Sequence, residues 1–202
     1  MDGATTTRQI GYGTGRERLL EAAREQLIET GGDFDVEEVA ARAGVSKSLI
    51  WRHFGNRAGL LEAVVQDFWD GYDETLADAN LTPDADWGAR ERERLGRLVD
   101  FLLDHPLAPV VLGHVEGDAA LHRVIKAERL KRHIRFAARN IRRGQKSGQI
   151  DKSLDADLVA AMIIGGVHQA LTLALTESRR PGRKRLTDAV WQSVAAILRF
   201  PS

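Results

Sequence analysis

Apolar side chains recur along this chain at intervals of three and four, the spacing that lines one face of an α-helix. Leu19, Leu20, Ala23, Leu27 and Ile28 share a face over residues 16–30, and Gly31-Gly32 stop that helix. Val36, Val39, Ala40 and Ala43 line a short second helix, and Val45, Ile50 and Phe54 turn inward from a third. A long helix over 56–79 carries Leu60, Leu61, Val64, Val65, Phe68, Trp69, Tyr72 and Leu76, a face wider than one neighbour needs. Residues 80–86, with Pro83, read as a loop. Leu95, Leu98, Val99 and Leu102 align over 88–103, and Asp104-His105-Pro106 break the pattern. A short apolar helix follows over 107–116. A long helix over 118–145 has Leu121, Val124, Ile125, Ile134, Ala138 and Ile141 as its apolar positions. Residues 154–176 are apolar nearly all round, with Ala160, Ala161, Gly165, Gly166 and Ala170 letting helix backbones approach. Residues 178–184 are a loop, and 186–200 close the series with Ala189, Val190, Val194, Ile197 and Leu198. With no alternating strand pattern, heptad or repeat, the predicted fold class is all-α.

The stretch from Phe34 to Leu61 is punctuated most sharply. Asp35 caps the second helix by accepting a free backbone N–H, and Glu38, three residues on, completes a capping box. Gly44 ends that helix where the chain needs positive φ. Ser46 caps the third helix, and Asn56 the fourth. Small Ala40 leaves room for two steeply crossed helices. Lys47, Ser48, Leu49, Arg52 and His53 are left outward or flanking. This is the pattern of a helix-turn-helix whose second helix enters the major groove of DNA.

The segment AARAGVSKSLIWRHFGNRAGLLEAV, residues 40–64, resembles the N-terminal signature of TetR-type (tetracycline-repressor-like) regulators. Asp35 stands where that family usually has Thr, Ser48-Leu49 where it has Gly-Thr, Trp51 and His53 where it has Tyr, and Asn56-Arg57 where it has Ser-Lys. Capping and charge survive these exchanges. The operator sequence is what they alter, since Ser48, Leu49 and His53 sit where the family touches DNA. The resemblance implies an N-terminal three-helix head that reads DNA and a larger C-terminal helical body that binds a ligand and dimerises. Expected boundaries are a flexible arm over 1–14, the head over 15–61 and the body over 62–202. It implies a regulator, expected to be a repressor, with a double-stranded DNA operator, a small-molecule effector and a second copy of itself as partners. Repression rather than activation is an expectation of the family alone.

Composition narrows the picture. The 202 residues hold 29 basic and 29 acidic side chains, so formal net charge is zero, where a DNA binder is often basic overall. The local distribution matters more: between Val45 and Arg57 stand Lys47, Arg52 and Arg57 and no acid. There is no cysteine, which excludes disulfides and thiolate metal sites. No apolar run reaches the roughly 18 residues of a membrane helix, and the first residues lack an apolar signal core. A cytoplasmic protein with no membrane association is expected. Gly11, Gly13 and Gly15 follow no strand and lack phosphate-loop spacing. Arg8 and Arg16 on a mobile arm could lie along DNA, or the arm could simply be disordered.

Lys47 could donate to guanine and Leu49 could touch a thymine methyl. Arg52, His53 and Arg57 suit phosphates, Arg57 at a helix N-terminus that favours anions. Trp51 fits either core-edge packing or stacking on the sugar–phosphate edge. Helical phase offers Phe68, Trp69, Tyr72, Leu102, Val111, His114, Ile125, Arg129 and Met162 as the lining of an implied ligand cavity, for an apolar or amphipathic molecule with one polar or anionic handle. Ordinary core packing is the competing reading for each. The family's dimer-forming pair corresponds to the last two helices, with Ala161, Gly165, His168, Leu171, Val190, Val194 and Ile197 as interface candidates. The helix around Arg123–Lys146 is heavily basic, which fits a solvated face, an anion-binding wall or an auxiliary DNA contact. His105, His114 and His122 lack ligand spacing, so no metal and no cofactor are expected. No nucleophile elbow or Walker loop is present, so no enzyme is expected. A regulator switched by a protein partner, and a helical carrier or enzyme, are the alternatives.

Overall fold

A computed structural model describes residues 14–77, 81–82, 85–113, 119–177 and 180–200. For 119–127 the helix is described but not the side chains. The order is α1 (Gly15–Thr30), α2 (Val36–Arg42), α3 (Lys47–Phe54), α4 (Arg57–Thr75), α5 (Trp87–Asp104), α6 (Ala108–Gly113), α7 (Ala119–Lys146), α8 (Ala156–Thr176) and α9 (Arg183–Leu198), with no strand among the described residues. The chain divides into two units, 1–67 and 68–202. The division falls inside α4 rather than at Leu61, and the Arg24–Asp67 ion pair (2.5 Å) ties that part of α4 to α1.

In the first unit, α1 opens with a capping box that periodicity did not suggest. Thr14 Oγ1 accepts from the Glu17 N–H (3.3 Å), and Glu17 accepts from the Thr14 N–H (2.7 Å). The Asp35 carboxylate accepts from the Glu38 N–H (3.0 Å), as expected of a cap. Glu38 does not complete a box. The Asp35 N–H is taken instead by Oε1 of Gln26 (2.9 Å), whose Nε2 donates to Glu38 (2.5 Å). Gln26 is buried on α1, so one amide joins α1 to the start of α2 with its own oxygen and nitrogen both satisfied. Gly44 adopts φ +63°, and the turn it makes sets α3 across α2. Ser46 holds the N-cap position of α3 without a side-chain bond to the helix, because its Oγ meets Ser48 Oγ at 2.8 Å. Asn56 caps α4 through the Gly59 N–H (2.9 Å).

In the second unit, α8 lies against α6, α7 and α9, and α5 against α9. A core cluster of Ala138, Ile141, Ile150, Val159, Ala160, Ile163 and Leu198 joins α7, α8 and α9. Asp155 caps α8 by accepting from the N–H groups of Asp157 and Leu158. Over Ala156–Thr176, α8 is long and apolar enough to cross a membrane by length and composition, which amends the expectation from uninterrupted apolar runs. A core helix of a multi-helix body meets the same test. The last helix starts a turn earlier than expected, directly after Pro181-Gly182, and ends at Arg199 (φ 52°), which sends Phe200 back against Trp87 and Trp191. The loop over 80–86 lies only partly within the described residues.

At Gly59, a Cβ would meet the Phe54 carbonyl oxygen far inside van der Waals contact. Since both partners are backbone, relief requires moving α3 against α4. Gly59→Ala is therefore expected to cost about 3 kcal/mol, read from urea unfolding; a loss within about 0.5 kcal/mol would show that this approach is not tight.

Candidate functional site

The α3 surface is set by a single inward anchor. Ile50 is fully buried, Val45 and Phe54 are half-buried, and these positions fix which side of α3 faces out. Lys47, Ser48, Trp51, Arg52 and His53 are then all exposed on the described unit. Leu49 is half-buried beside Gly15, so it packs on α1 as well as flanking the exposed face. Trp51 is 42% exposed, with the Lys47 ammonium 5.8 Å from its ring centre. Two of the expected contacts have partners that spacing did not reveal. Lys47 Nζ pairs with the Glu37 carboxylate, so an acid on α2 reaches the cationic face of α3. Arg57 bonds back onto the head at its surface: its Nε donates to the Phe34 carbonyl (3.2 Å), its guanidinium pairs with Asp33, and it lies over the Phe34 ring at 4.6 Å. That arrangement ties the first turn of α4 to the α1–α2 loop, and any phosphate at Arg57 must compete with it.

In the second unit, the expected cavity residues form a packed aromatic group. Phe68 meets Trp69 (5.2 Å), Phe101 (5.5 Å) and His105 (4.9 Å), and Trp69 meets Tyr72 (5.1 Å). Tyr72 stacks on His133 at 5.1 Å. Burial, then the charge of Asp73, push the Tyr72 hydroxyl far above its ordinary pKa. Leu102 is buried and Val111 half-buried. Arg129 is buried with its guanidinium 5.3 Å from the Trp69 ring centre. Asp73 meets three side chains from α7: His133 Nε2 (2.7 Å), Arg132 (2.7 Å) and Arg129 (3.4 Å). Burial raises its carboxyl, but the His133 bond and the charges of His133, Arg132 and Arg129 outweigh that and hold it below the usual carboxylate range. Arg129 shifts downward, chiefly through burial.

A cavity of about 110 Å³ lies elsewhere, among α5, α7, α8 and α9. Leu76, Trp87, Leu95, Leu98, Phe136, Ile141, Ile163, Val167, Trp191 and Leu198 give it apolar walls, and Glu91, Arg94, His133 and Asn140 add polar groups. Among the expected lining residues with described side chains, none borders it. Phe68, Trp69, Tyr72 and Leu102 fill their own space, and Met162 is 57% exposed on α8. His114 and the Ile125 side chain lie outside the described residues. On α8, exposed Leu158, Met162 and Leu173 flank Gly165 and Gly166, which have open space where a side chain would stand. Of the interface candidates, Gly165 is exposed, and Ala161, His168, Val194 and Ile197 are half-buried. Leu171 and Val190 are buried within the unit, so they belong to its core rather than to a free face. Of the basic positions on α7 with described side chains, Lys131, Arg132, Arg135, Arg139, Arg142, Arg143 and Lys146 are exposed, whereas Arg129 turns inward. No cluster of His, Asp and Glu able to hold a metal occurs among the described residues.

A short recognition-type helix, pinned by one buried residue and carrying its cations outward after a tight glycine turn, defines a helix-turn-helix DNA-binding protein. Residues 19–64 match the family model described as bacterial regulatory proteins, tetR family. That match covers the head, and it supports a TetR-type DNA-binding transcriptional regulator. It is 27% identical over 192 residues to the nucleoid occlusion factor SlmA of Photobacterium profundum, covering 91% of this chain and 95% of that protein. Its fold resembles that of the fatty acid degradation regulator FadR from Bacillus halodurans (TM-score 0.77, 20% identity, 95% of this chain and 100% of that one). It also resembles FadR from Bacillus subtilis, solved in complex with stearoyl-CoA (TM-score 0.73, 20% identity, 88% of this chain and 96% of that one).

Two measurements follow from these contacts. Glu37→Gln removes the acid that pairs with Lys47, so affinity for duplex DNA should rise severalfold at low salt and converge with the parent at high salt; unchanged affinity would mean that Lys47 stays off the DNA. Asp73 has a depressed pKa when folded, so its stabilisation is present above its unfolded value and is lost as pH falls through the folded one. Asp73→Asn should therefore lower thermal stability at pH 7, by about 1 kcal/mol for a partly exposed group, and the gap should begin to narrow once pH falls below about 4. Melting curves across pH check this, and a gap that stays constant as pH falls from 7 into the acid range would contradict it.

Proposed function

We propose that this regulator is a repressor, acting as a homodimer on a near-palindromic operator and released by a small apolar or amphipathic ligand. The observation that carries the DNA half is the exposed row of Lys47, Ser48, Arg52 and His53 on α3, held outward by buried Ile50. Lys47 and Ser48 stand in the first turn, where a recognition helix reaches base edges. Exposed Leu158, Met162 and Leu173 support α8 as the surface on which two copies meet. Two such heads would address half-sites about 34–36 Å apart on one face of the duplex. Release follows from linkage: a ligand favouring a dimer shape that the operator does not fit lowers DNA affinity by its differential affinity for the two shapes, typically about 1–3 kcal/mol. The α4 helix, which passes from the first unit into the second, is the natural lever. Like its family relatives, the protein is read as cytoplasmic and without catalytic activity.

The DNA reading is tested by gel shift with genomic fragments. A sequence-selective complex is expected, and Lys47→Ala should relax base preference with a loss of about 1–3 kcal/mol at the cognate site. Arg57→Ala should chiefly lower the melting temperature, because its Nε and Nη2 bond within the head. A failure of the parent protein to select any fragment would refute the proposal.

A further inference from the structure

The cavity among α5, α7, α8 and α9 does not stand alone. A cleft of about 270 Å³ adjoins it at the start of α5 and the end of α7. Trp87, Glu91, Arg94 and Asn140 line both spaces and form the wall between them. The two differ in chemistry. Aromatic and branched aliphatic side chains dominate the cavity. The cleft carries Arg90, Arg94 and Arg143 against Asp86 and Glu91, with Ser147 and Gln149 beside them. The acids there are engaged: the Asp86 carboxylate accepts from the Ala89 N–H (2.8 Å), and Glu91 accepts from Nε and Nη2 of Arg94 (3.2 Å each). By count the cleft holds three arginines against two carboxylates, and the exposed face of α7 beyond it carries Arg139 and Lys146 in addition.

Asn140 occupies the shared wall. It falls on the same face of α7 as His133, Phe136, Ala137 and Ile141. Its residue exposure is 4%, and its amide nitrogen is buried without a hydrogen-bond partner. Its backbone carbonyl is occupied by the Trp87 indole N–H (2.8 Å), which fixes the partition in place. A buried donor left unpaired costs free energy, and such groups are ordinarily satisfied in proteins. Alone, the cavity is smaller than the ligand pockets of about 300–1,000 Å³ common in proteins, and the two spaces joined fall within that range.

We propose that cavity and cleft form one two-compartment site for an amphipathic anion. The apolar part lies among Trp87, Phe136 and Trp191, the anionic head lies in the Arg90–Arg143 cleft, and Asn140 Nδ2 donates to an oxygen at the neck. This rests on the reading of the protein as ligand-responsive and supplies the class of ligand.

The test uses the full-length protein with octanoate and octylamine, which share a chain and differ in the sign of the head. Binding is followed by tryptophan fluorescence, since Trp87 and Trp191 line the site, and by calorimetry. Octanoate should bind at least about tenfold more tightly than octylamine, and Arg143→Gln should remove most of that preference. Asn140→Leu should weaken octanoate about tenfold; melting curves confirm that it folds, and Arg143→Gln, at an exposed position, carries the test if it does not. Equal binding of the two probes, or octanoate binding indifferent to both substitutions, overturns the two-compartment site while leaving a purely apolar cavity tenable. No binding of either probe overturns the site altogether. Gel shifts on the same samples separate that failure from a failure of the regulator reading, because DNA binding without ligand does not pass through the cavity.

Discussion

The burial of Ile50 is the constraint on which the DNA-facing surface depends. A helix as short as α3 has little intrinsic stability, and tertiary packing of one face holds it. With Ile50 in the core and Gly44 at positive φ turning the chain, the rotation of α3 about its own axis is fixed. Every cation on the opposite side is then displayed. The contacts around it serve the same end. Gln26 links α1 to the start of α2, Arg57 links the start of α4 to the α1–α2 loop, and Asn56 closes the turn between α3 and α4. The head is thus braced on both sides of the reading helix, which limits what a partner must order on binding.

In the second unit the comparable device is electrostatic. Asp73, near the end of α4, gathers His133, Arg132 and Arg129 from α7, and the aromatic group around Trp69 and Tyr72 excludes water from one side of it. His133 belongs to two environments, since it bonds Asp73 and also lines the α5–α7–α8–α9 cavity. A molecule entering that cavity meets a side chain already bonded to α4, so occupancy and the placement of the end of α4 share a physical link.

Much of this was legible in the chain. Helices are announced by period and by punctuation, so Asp35, Gly44 and Asn56 each act where local chemistry places them. What was not legible involves partners distant in sequence. Nothing in the spacing tells that Glu37 reaches Lys47, that Gln26 displaces Glu38 from a capping box, or that Arg57 is spent on Asp33 and Phe34. The cavity among α5, α7, α8 and α9 is illegible for a related reason. Phase identifies which side chains turn inward, and Phe68, Trp69, Tyr72 and Leu102 do so; a void forms only where several inward faces fail to fill the space among them. The dimer candidates split in the same way. Leu171 and Val190 obey helical phase but are covered by their own unit, while Leu158, Met162 and Leu173 remain open.

The central claim is that two copies of α3 grip one duplex from the same side. Hydroxyl-radical footprinting of the full-length protein on its selected fragment tests this most directly. The account predicts two protected patches per strand, separated by about one helical turn and related by a dyad. A single patch, or uniform protection without a dyad, would contradict it.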